Sequence, residues 1–548
     1  MPGRESTSLV IAVIALAATI AYAGSFAGTW ISDDVDMISS NPVLRTLDAG
    51  NLHKIATERT DGVNYIPLNF LSLALDHQLW GPHPWGFHLT NLTFHVANAV
   101  LLFFLLLRLQ ESRGLAAAVS LLWALHPVQV ETVAWISERK NVLSTFFFLL
   151  AFLEYLRFSE RATPWRYLLV LLLYLGALVS KVNTIVLPLL FLVYEIVLHR
   201  RLRAWDMALT VPMFALGATI AWANLHGNPS HGVAYHGGSL EVTLRTSATT
   251  IPRYVWNVVA PFDLSSYYPV PLRGSWLDPA VVEAVALILV LIALTCGSAV
   301  QHRPEAFWLA WFGITLAPML NLVPFPALMN DRYLYLPLMG ALTVLLRLGR
   351  DVLGRTGAER FGPALVGAIA VVLGVLTFLR VPAFRDPLAL WADMGLRTSY
   401  ITADQPYGAG PRTEEKRLLE EALAAHPTRA ALQNNLGGFA FEENRLPEAL
   451  AYLERAQQLD PSDPVIALNL GRTYLRLGRV DDAVRTLQIA TALEPPSFFP
   501  HLNLGRAYLL KGDLKAARAE LELGKAIKKD PWFWQSFQQM LERAERAS

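Results

Sequence analysis

Charge is what this 548-residue chain has least of: 17% of its residues are Asp, Glu, Lys or Arg, against about 25% in ordinary soluble proteins. It has one cysteine, Cys296, which excludes an internal disulfide framework and any cysteine-based metal cluster. It also has no excess of either sign. Its 46 Lys and Arg offset 45 Asp and Glu, a net charge of +1, so it carries no electrostatic footprint for nucleic acid. In their place are apolar residues, 53% of the chain, with a mean hydropathy of +0.35. That composition argues against a soluble globule and against a disordered chain.

The apolar residues come in long blocks up to residue 382, and from 383 the chain turns charged and amphipathic. A bilayer core takes about 20 apolar residues per helix. Such blocks occur near 8–29, 88–109, 140–158, 182–199, 204–224, 278–300, 305–323, 331–348 and 362–380, with shorter ones at 114–126 and 166–180. The pattern predicts a polytopic bundle of about eleven spans over 1–382. A connecting helix and linker follow over 383–412, with a loop at 400–412, and then a soluble domain over 413–548. The first block is read as an uncleaved anchor, since it is long for a signal peptide.

Basic residues set the orientation. With a cytoplasmic N-terminus, the cytoplasmic loops carry Arg108 and Arg113, then Arg157, Arg161 and Arg166, then Arg200, Arg201 and Arg203. Arg303 follows, and then Arg347, Arg350, Arg355 and Arg360. Segments 30–87, 127–139 and 225–277 then lie outside, as does the C-terminal region. Residues 240–260 have the pattern of an amphipathic helix lying in the interface.

In the C-terminal region Asn435-Leu436-Gly437 recurs at Asn469-Leu470-Gly471 and Asn503-Leu504-Gly505, 34 residues apart each time. Ala449, Ala483 and Ala517 keep step, as do Leu453, Leu487 and Leu521, with Pro461 and Pro495 at repeat ends. This is the tetratricopeptide pattern of paired helices. Three repeats are expected at 428–461, 462–495 and 496–529, after a partial one at 413–427 and before a capping helix at 531–546. The α-solenoid so formed is a binding surface and holds no chemistry of its own.

Four polar motifs stand on the expected outer face, where charge near a membrane is costly and usually functional. Trp30-Ile31-Ser32-Asp33-Asp34-Val35-Asp36 follows the first span. Its carboxylate pair suits a general base. The Asp34-x-Asp36 spacing would also hold a divalent cation, and a solvated loop or a helix cap explains it equally. His126-Pro127-Val128-Gln129-Val130-Glu131 precedes Glu138-Arg139-Lys140-Asn141. Glu131, Trp135 and Glu138 share helical spacing, which predicts one short helix at the interface. Arg139-Lys140 would meet an anion such as a lipid phosphate, or only snorkel. Ser180-Lys181 joins two spans, and Asn330-Asp331-Arg332-Tyr333-Leu334-Tyr335-Leu336-Pro337 opens another. Arg332 would pair with Asp331, with Glu131 or with a phosphate.

Together these motifs and the trailing repeats resemble polyprenyl-phosphate-sugar-dependent glycosyltransferases of the GT-C fold. The closest resemblance is to the transmembrane-and-TPR-repeat O-mannosyltransferases of the endoplasmic reticulum and their bacterial relatives. One departure is Val182 after Ser180-Lys181, where the family often has Glu. The resemblance implies a polyprenyl-phosphate sugar donor and an acceptor hydroxyl, on Ser or Thr of an exported protein held by the repeat groove. It implies an all-α membrane enzyme in which Asp33 or Asp34 is the base. Arg139, Lys140, Lys181 and Arg332 would bind the donor phosphate, while His126, Glu131, Tyr333 and Tyr335 support the site or the acceptor. No metal is expected, with Asp34 and Asp36 as the reservation, and no nucleic acid. The Ala, Leu and Arg content points to a bacterial plasma membrane. A non-catalytic scaffold for envelope assembly, and a glycan or lipid acceptor, remain as alternatives. A transporter would show symmetric halves and charges at mid-bilayer, and neither is seen.

Overall fold

Helices account for every regular element among the described residues of the computed structural model, which are 2–200, 202–225, 235–268, 270–325, 327–395, 412–493, 498–527 and 531–547. The expected loop at 400–412 falls almost wholly outside them. The chain divides into two compact units, one comprising 1–233, 247–266 and 275–390, the other 234–246, 267–274 and 391–548.

The first unit begins with α1 (Pro2–Ala21), α2 (Ala49–Thr57), α3 (Pro67–Trp80), α4 (Pro84–Arg108) and α5 (Arg113–Ala124). It continues with α6 (Val130–Ala134), α7 (Arg139–Glu160), α8 (Pro164–Leu178), α9 (Leu187–Val197) and α10 (Ala204–Leu225). In the chain α11 (Leu240–Ala248), most of which belongs to the second unit, precedes α12 (Thr250–Val259), and then come α13 (Pro279–Val300), α14 (Glu305–Leu316), α15 (Pro337–Arg355), α16 (Gly362–Arg380) and α17 (Pro387–Gly395), which crosses the division after Leu390. Proline opens many of these helices at a position whose N–H needs no partner. Side-chain caps fix several starts: Asp278 accepts from Ala280 N at 2.9 Å, and Thr163 from Arg166 N at 3.4 Å.

Each of the eleven expected segments contains a helix. Among the described residues five helices are long and apolar enough to cross a membrane: Pro84–Arg108, Ile136–Glu160, Ala204–Leu225, Pro279–Val300 and Glu359–Phe384. Thr7–Ala21, Arg113–Ala124, Pro164–Leu178 and Val182–Val197 are apolar but shorter. Helix lengths therefore support a multi-pass bundle without giving the number of crossings. Residues 240–260 form two helices rather than one. In α12, Ile251, Tyr254 and Val258 are buried while Trp256 and Val259 are exposed. Within the bundle α14 and α15 pack closely because Gly340 has no side chain. A Cβ there would stand 2.4 Å from the Trp308 carbonyl oxygen.

The second unit carries the repeats as antiparallel helix pairs: α18 (Arg412–Ala425), α19 (Ala430–Glu442), α20 (Leu446–Leu459), α21 (Pro464–Arg476) and α22 (Val480–Leu493), then α23 (Phe498–Lys511), α24 (Leu514–Ile527) and α25 (Pro531–Ala547). Ala449, Ala483, Ala517, Leu453, Leu487 and Leu521 are all buried. The glycines at 437 and 471 face Leu453 and Leu487, where a Cβ would meet side-chain carbon at 2.7 and 2.5 Å. The third repeat differs. Gly505 faces Phe537 of the terminal helix, whose Trp534, Phe537 and Leu541 are buried and close the stack.

Candidate active site

The four motifs, far apart in sequence, meet at one end of the first unit. The first loop is anchored there by Asp34. This side chain is fully buried, and its carboxylate accepts from Ile31 N at 3.2 Å and from Ser137 N at 2.7 Å. Burial pushes its pKa up to about 7, against the opposing pull of those two N–H bonds, and the neighbouring Asp33 charge adds to the rise. Asp33 next to it is exposed and accepts from the Ser32 hydroxyl at 3.3 Å, and its charge favours the protonated Arg332 guanidinium. Ser32 itself has a φ of +45°. This turn sends two adjacent carboxylates to opposite fates, one into the protein and one into solvent. Asp36 is exposed like Asp33. The Asp34-x-Asp36 pair therefore does not offer two open carboxylates. Among the described residues no group of three His, Cys, Asp or Glu is placed to hold a metal.

Residues 127–141 do not form the single interfacial helix that the spacing predicts. A 3-10 turn (Pro127–Gln129), α6 and a second 3-10 turn (Ile136–Glu138) follow one another, with Trp135 extended between the last two at φ −88° and ψ 118°. Every residue of the segment is buried except Lys140, which is partly exposed. The fold therefore places Glu131 and Glu138 as carboxylates needing partners. Arg332 supplies most of them. Its Nη1 lies 2.6 Å from Glu131 Oε1, its backbone N donates to Glu131 Oε2 at 2.9 Å, and its Nε is 3.6 Å from Glu138. Of the three partners expected for Arg332, Glu131 is the one it takes; Asp331 instead accepts from Asn257 at 3.2 Å. The guanidinium sits 5.6 Å from the Trp135 ring centroid and 5.6 Å from that of Tyr333. The Asn330 amide oxygen accepts from Arg332 Nη2 at 2.9 Å and from the Tyr333 hydroxyl at 3.2 Å. Glu131 is pushed up by burial and held back by Arg332.

Lys140 Nζ lies 3.0 Å from Glu138 Oε1, the same oxygen that Arg332 Nε approaches, and Lys181 donates to the Asn141 side-chain oxygen. Asn141 in turn donates to Glu138. Burial pulls the Lys181 pKa down to about 7. Glu138 opposes that shift, and Lys140 and Arg332 add to it. Arg332, Lys140 and Lys181 thus share two carboxylates, Glu131 and Glu138, so cations outnumber anions within the cluster. Such a surplus suits an anionic ligand.

Three expected site residues are placed elsewhere. Arg139 is fully buried and its donors are committed: to Asp76 at 2.6 Å, Ser72 at 2.9 Å, the Phe87 carbonyl at 2.9 Å, and the Asn91 side chain. It is a rivet between α3, α4 and α7, not a cation open to a phosphate. His126 caps the 3-10 turn through Val128 N at 3.4 Å and reaches the Val258 carbonyl at 3.1 Å. Tyr335 is in the core, 2.9 Å from His95 Nδ1 and packed edge-on to Trp123. Sequence reasoning passed over the residues that make these arrangements. Asp76 was a lone carboxylate inside apolar α3. His88, Asn91, His95 and Asn98 form a buried polar stripe on α4 at spacings of three and four. Both signals were readable as polar residues on apolar helices.

A multi-pass helical bundle with a cluster of basic and acidic side chains at the ends of its helices, followed by a helical repeat array, is the class of protein that these features define. Tetratricopeptide repeat family models match residues 440–498 and 499–522. The chain is 34% identical over 204 residues to mouse (Mus musculus) Protein O-mannosyl-transferase TMTC1, which is 34% of this chain and 22% of that protein. It is 27% identical over 510 residues to human (Homo sapiens) Protein O-mannosyl-transferase TMTC4, covering 80% of this chain and 65% of that one. The match thus extends along most of this chain but reaches only about a fifth and about two thirds of those relatives. The resemblance to transmembrane-and-repeat O-mannosyltransferases is shown by them. The apo crystal structure of the Archaeoglobus fulgidus oligosaccharyltransferase aligns with a TM-score of 0.40 at 12% identity, over 76% of this chain and 60% of that one, a likeness below what defines a shared fold.

Proposed function

We propose that this chain is a membrane glycosyltransferase that moves a sugar from a polyprenyl-phosphate carrier to an acceptor hydroxyl, in one displacement with inversion. The observation that carries this reading is an exposed carboxylate, Asp33, on the loop that Asp34 ties to Ser137 N at 2.7 Å, next in the chain to the Glu138 that Arg332 and Lys140 share. Asp33 takes the proton of the acceptor hydroxyl, and the oxygen attacks the anomeric carbon. The bond from that carbon to the phosphate oxygen breaks, and the negative charge developing on the leaving phosphate falls to Arg332, Lys140 and Lys181. Glu131 and Glu138 hold those cations in place, and Tyr333 flanks the Arg332 guanidinium. Asp34 is a positioning residue, holding the first loop to Ser137. Arg139, His126 and Tyr335 support the scaffold. A monophosphate leaving group needs cations but not necessarily a metal.

The active face is extracytoplasmic on this reading, in a bacterial plasma membrane, and the repeat array presents Ser or Thr of an exported polypeptide to it. Array grooves bind extended chains, which favours a polypeptide over a glycan acceptor by analogy alone. The test is transfer from labelled lipid-linked sugar by the purified full chain. Asp33→Asn is expected to lower transfer by about 10²–10⁴-fold, the worth of a general base, with donor affinity retained. Full transfer in Asp33→Asn would remove the base assignment. Loss only in Asp34→Asn would move the base to Asp34.

A further inference from the structure

The far end of α4 and α7 carries a feature that the transfer reaction does not use. A crevice of about 540 Å³ lies between α4, α7 and α8, within the roughly 300–1,000 Å³ of small-molecule sites. Its walls are aliphatic and aromatic, with Phe104 from α4, Leu153 from α7 and Leu173 from α8. One end is charged, lined by Arg108, Glu154 and Arg157. The neighbouring surface of α8 is apolar and exposed at Leu168 and Leu172, so the crevice borders the helix face that hydrocarbon would cover. From Lys140 to Arg157 is seventeen residues of α7, about 25 Å along a helix axis. The crevice is therefore remote from Asp33 and Arg332.

We propose that this crevice is a binding site for an anionic glycerophospholipid, one acyl chain in the apolar channel and the phosphate at Arg108 and Arg157. The charge balance favours an anion: Arg108, Arg157 and Arg166 stand against Glu154 and Glu160, three cations to two carboxylates. Arg108 makes an ion pair with Glu160 at 2.8 Å and Arg157 one with Glu154 at 3.1 Å. A guanidinium has five N–H donors, so each keeps others to offer. Both side chains are about half exposed, at 40% and 53%, and Glu154 is held by Arg157 and, at 3.8 Å, by Arg166. The pairs hold the arginines at the mouth without closing it. Distance from the cluster at the other end of α7 separates this lipid from the sugar donor.

The test uses the full chain in nanodiscs of mixed phosphatidylglycerol and phosphatidylcholine, with retained lipid counted by native mass spectrometry. The expected result is at least tenfold enrichment of phosphatidylglycerol in the wild type. Enrichment disappears in Arg108→Ala/Arg157→Ala, and Leu173→Trp, which fills the channel without changing charge, loses the lipid altogether. Arg350→Ala, with an exposed arginine outside the crevice, serves as the control and keeps the enrichment. Equal retention of the two lipids in the wild type overturns the proposal. So does unchanged enrichment in the double variant or, should that variant not fold, in Leu173→Trp. Displacement of the lipid by one equivalent of polyprenyl phosphate would also overturn it, making the crevice a donor channel.

Discussion

Lys181 is a lysine whose charge the surrounding residues have made conditional. Its pKa is pulled down to about 7 by burial, with Glu138 holding it up and Lys140 and Arg332 pushing it further down. The sign follows from linkage. Between about 7 and the ordinary 10.5, the unfolded chain binds a proton that the folded chain does not, so this residue's contribution to stability improves as pH rises through that window. The phosphate clamp behaves oppositely, because it loses a cation over the same range. Transfer by the wild type is therefore expected to fall as pH passes 7, while Lys181→Arg, charged throughout, holds its rate. Asp34 also titrates near 7. If its ionisation set the alkaline limb, a pH–rate profile would show both proteins falling together. In sequence Ser180-Lys181 is a polar step between two spans, and only the family resemblance makes Lys181 a phosphate ligand. Its coupling to Asn141 and Glu138 comes from contacts across 40 residues, which no local pattern records.

The helical elements differ in how far their sequence determines them. The repeats are local objects: a period of 34 with Gly, Ala and Leu in fixed places specifies a helix pair that packs on its neighbour. The repeated Ala and Leu positions are all buried, while Gly505 meets the capping helix where its counterparts meet Leu453 and Leu487. In Gly471→Ala, the new Cβ falls 2.5 Å from Leu487. Alanine favours the helix by about 1 kcal/mol, but overpacking of this kind costs about 1–3 kcal/mol. The expected net loss is up to about 2 kcal/mol in chemical denaturation, partly relieved by Leu487→Ala. An unchanged midpoint would mean that the pair can open at no cost. The segment 127–139 is the opposite case. Its charged residues follow helical spacing, yet the backbone breaks at Trp135, so that Glu131 and Glu138 both reach Arg332. Periodicity predicts a helix only where burial of one face is the main demand.

For the whole molecule, the pattern of arginines implies an odd number of crossings and an array on the same side as Asp33. Among the described residues five helices meet the length and hydropathy of a span, and other apolar helices are shorter; fusions at the C-terminus read the parity of the count. A phosphatase fused to the C-terminus, active only outside the cytoplasm, is expected to be active, and a fluorescent fusion that matures only inside is expected to be dark. The reverse pair of signals would make the count even and separate the array from the proposed site.

By itself the sequence determined the class of this protein: apolar blocks of bilayer length, a 34-residue repeat and four polar motifs suffice, because hydrophobic burial and helix pairing act locally along the chain. It also named most of the residues that gather at the candidate site. Only the tertiary structure decided which of them are available. Asp33 and Asp34 are adjacent and chemically identical, as Arg139 and Lys140 are adjacent and both cationic. One of each pair is turned inward and spent on N–H groups or on Asp76, and the other remains at the cluster. Burial and partner choice are set by contacts between distant elements, and those contacts divide an anchoring charge from an exposed one.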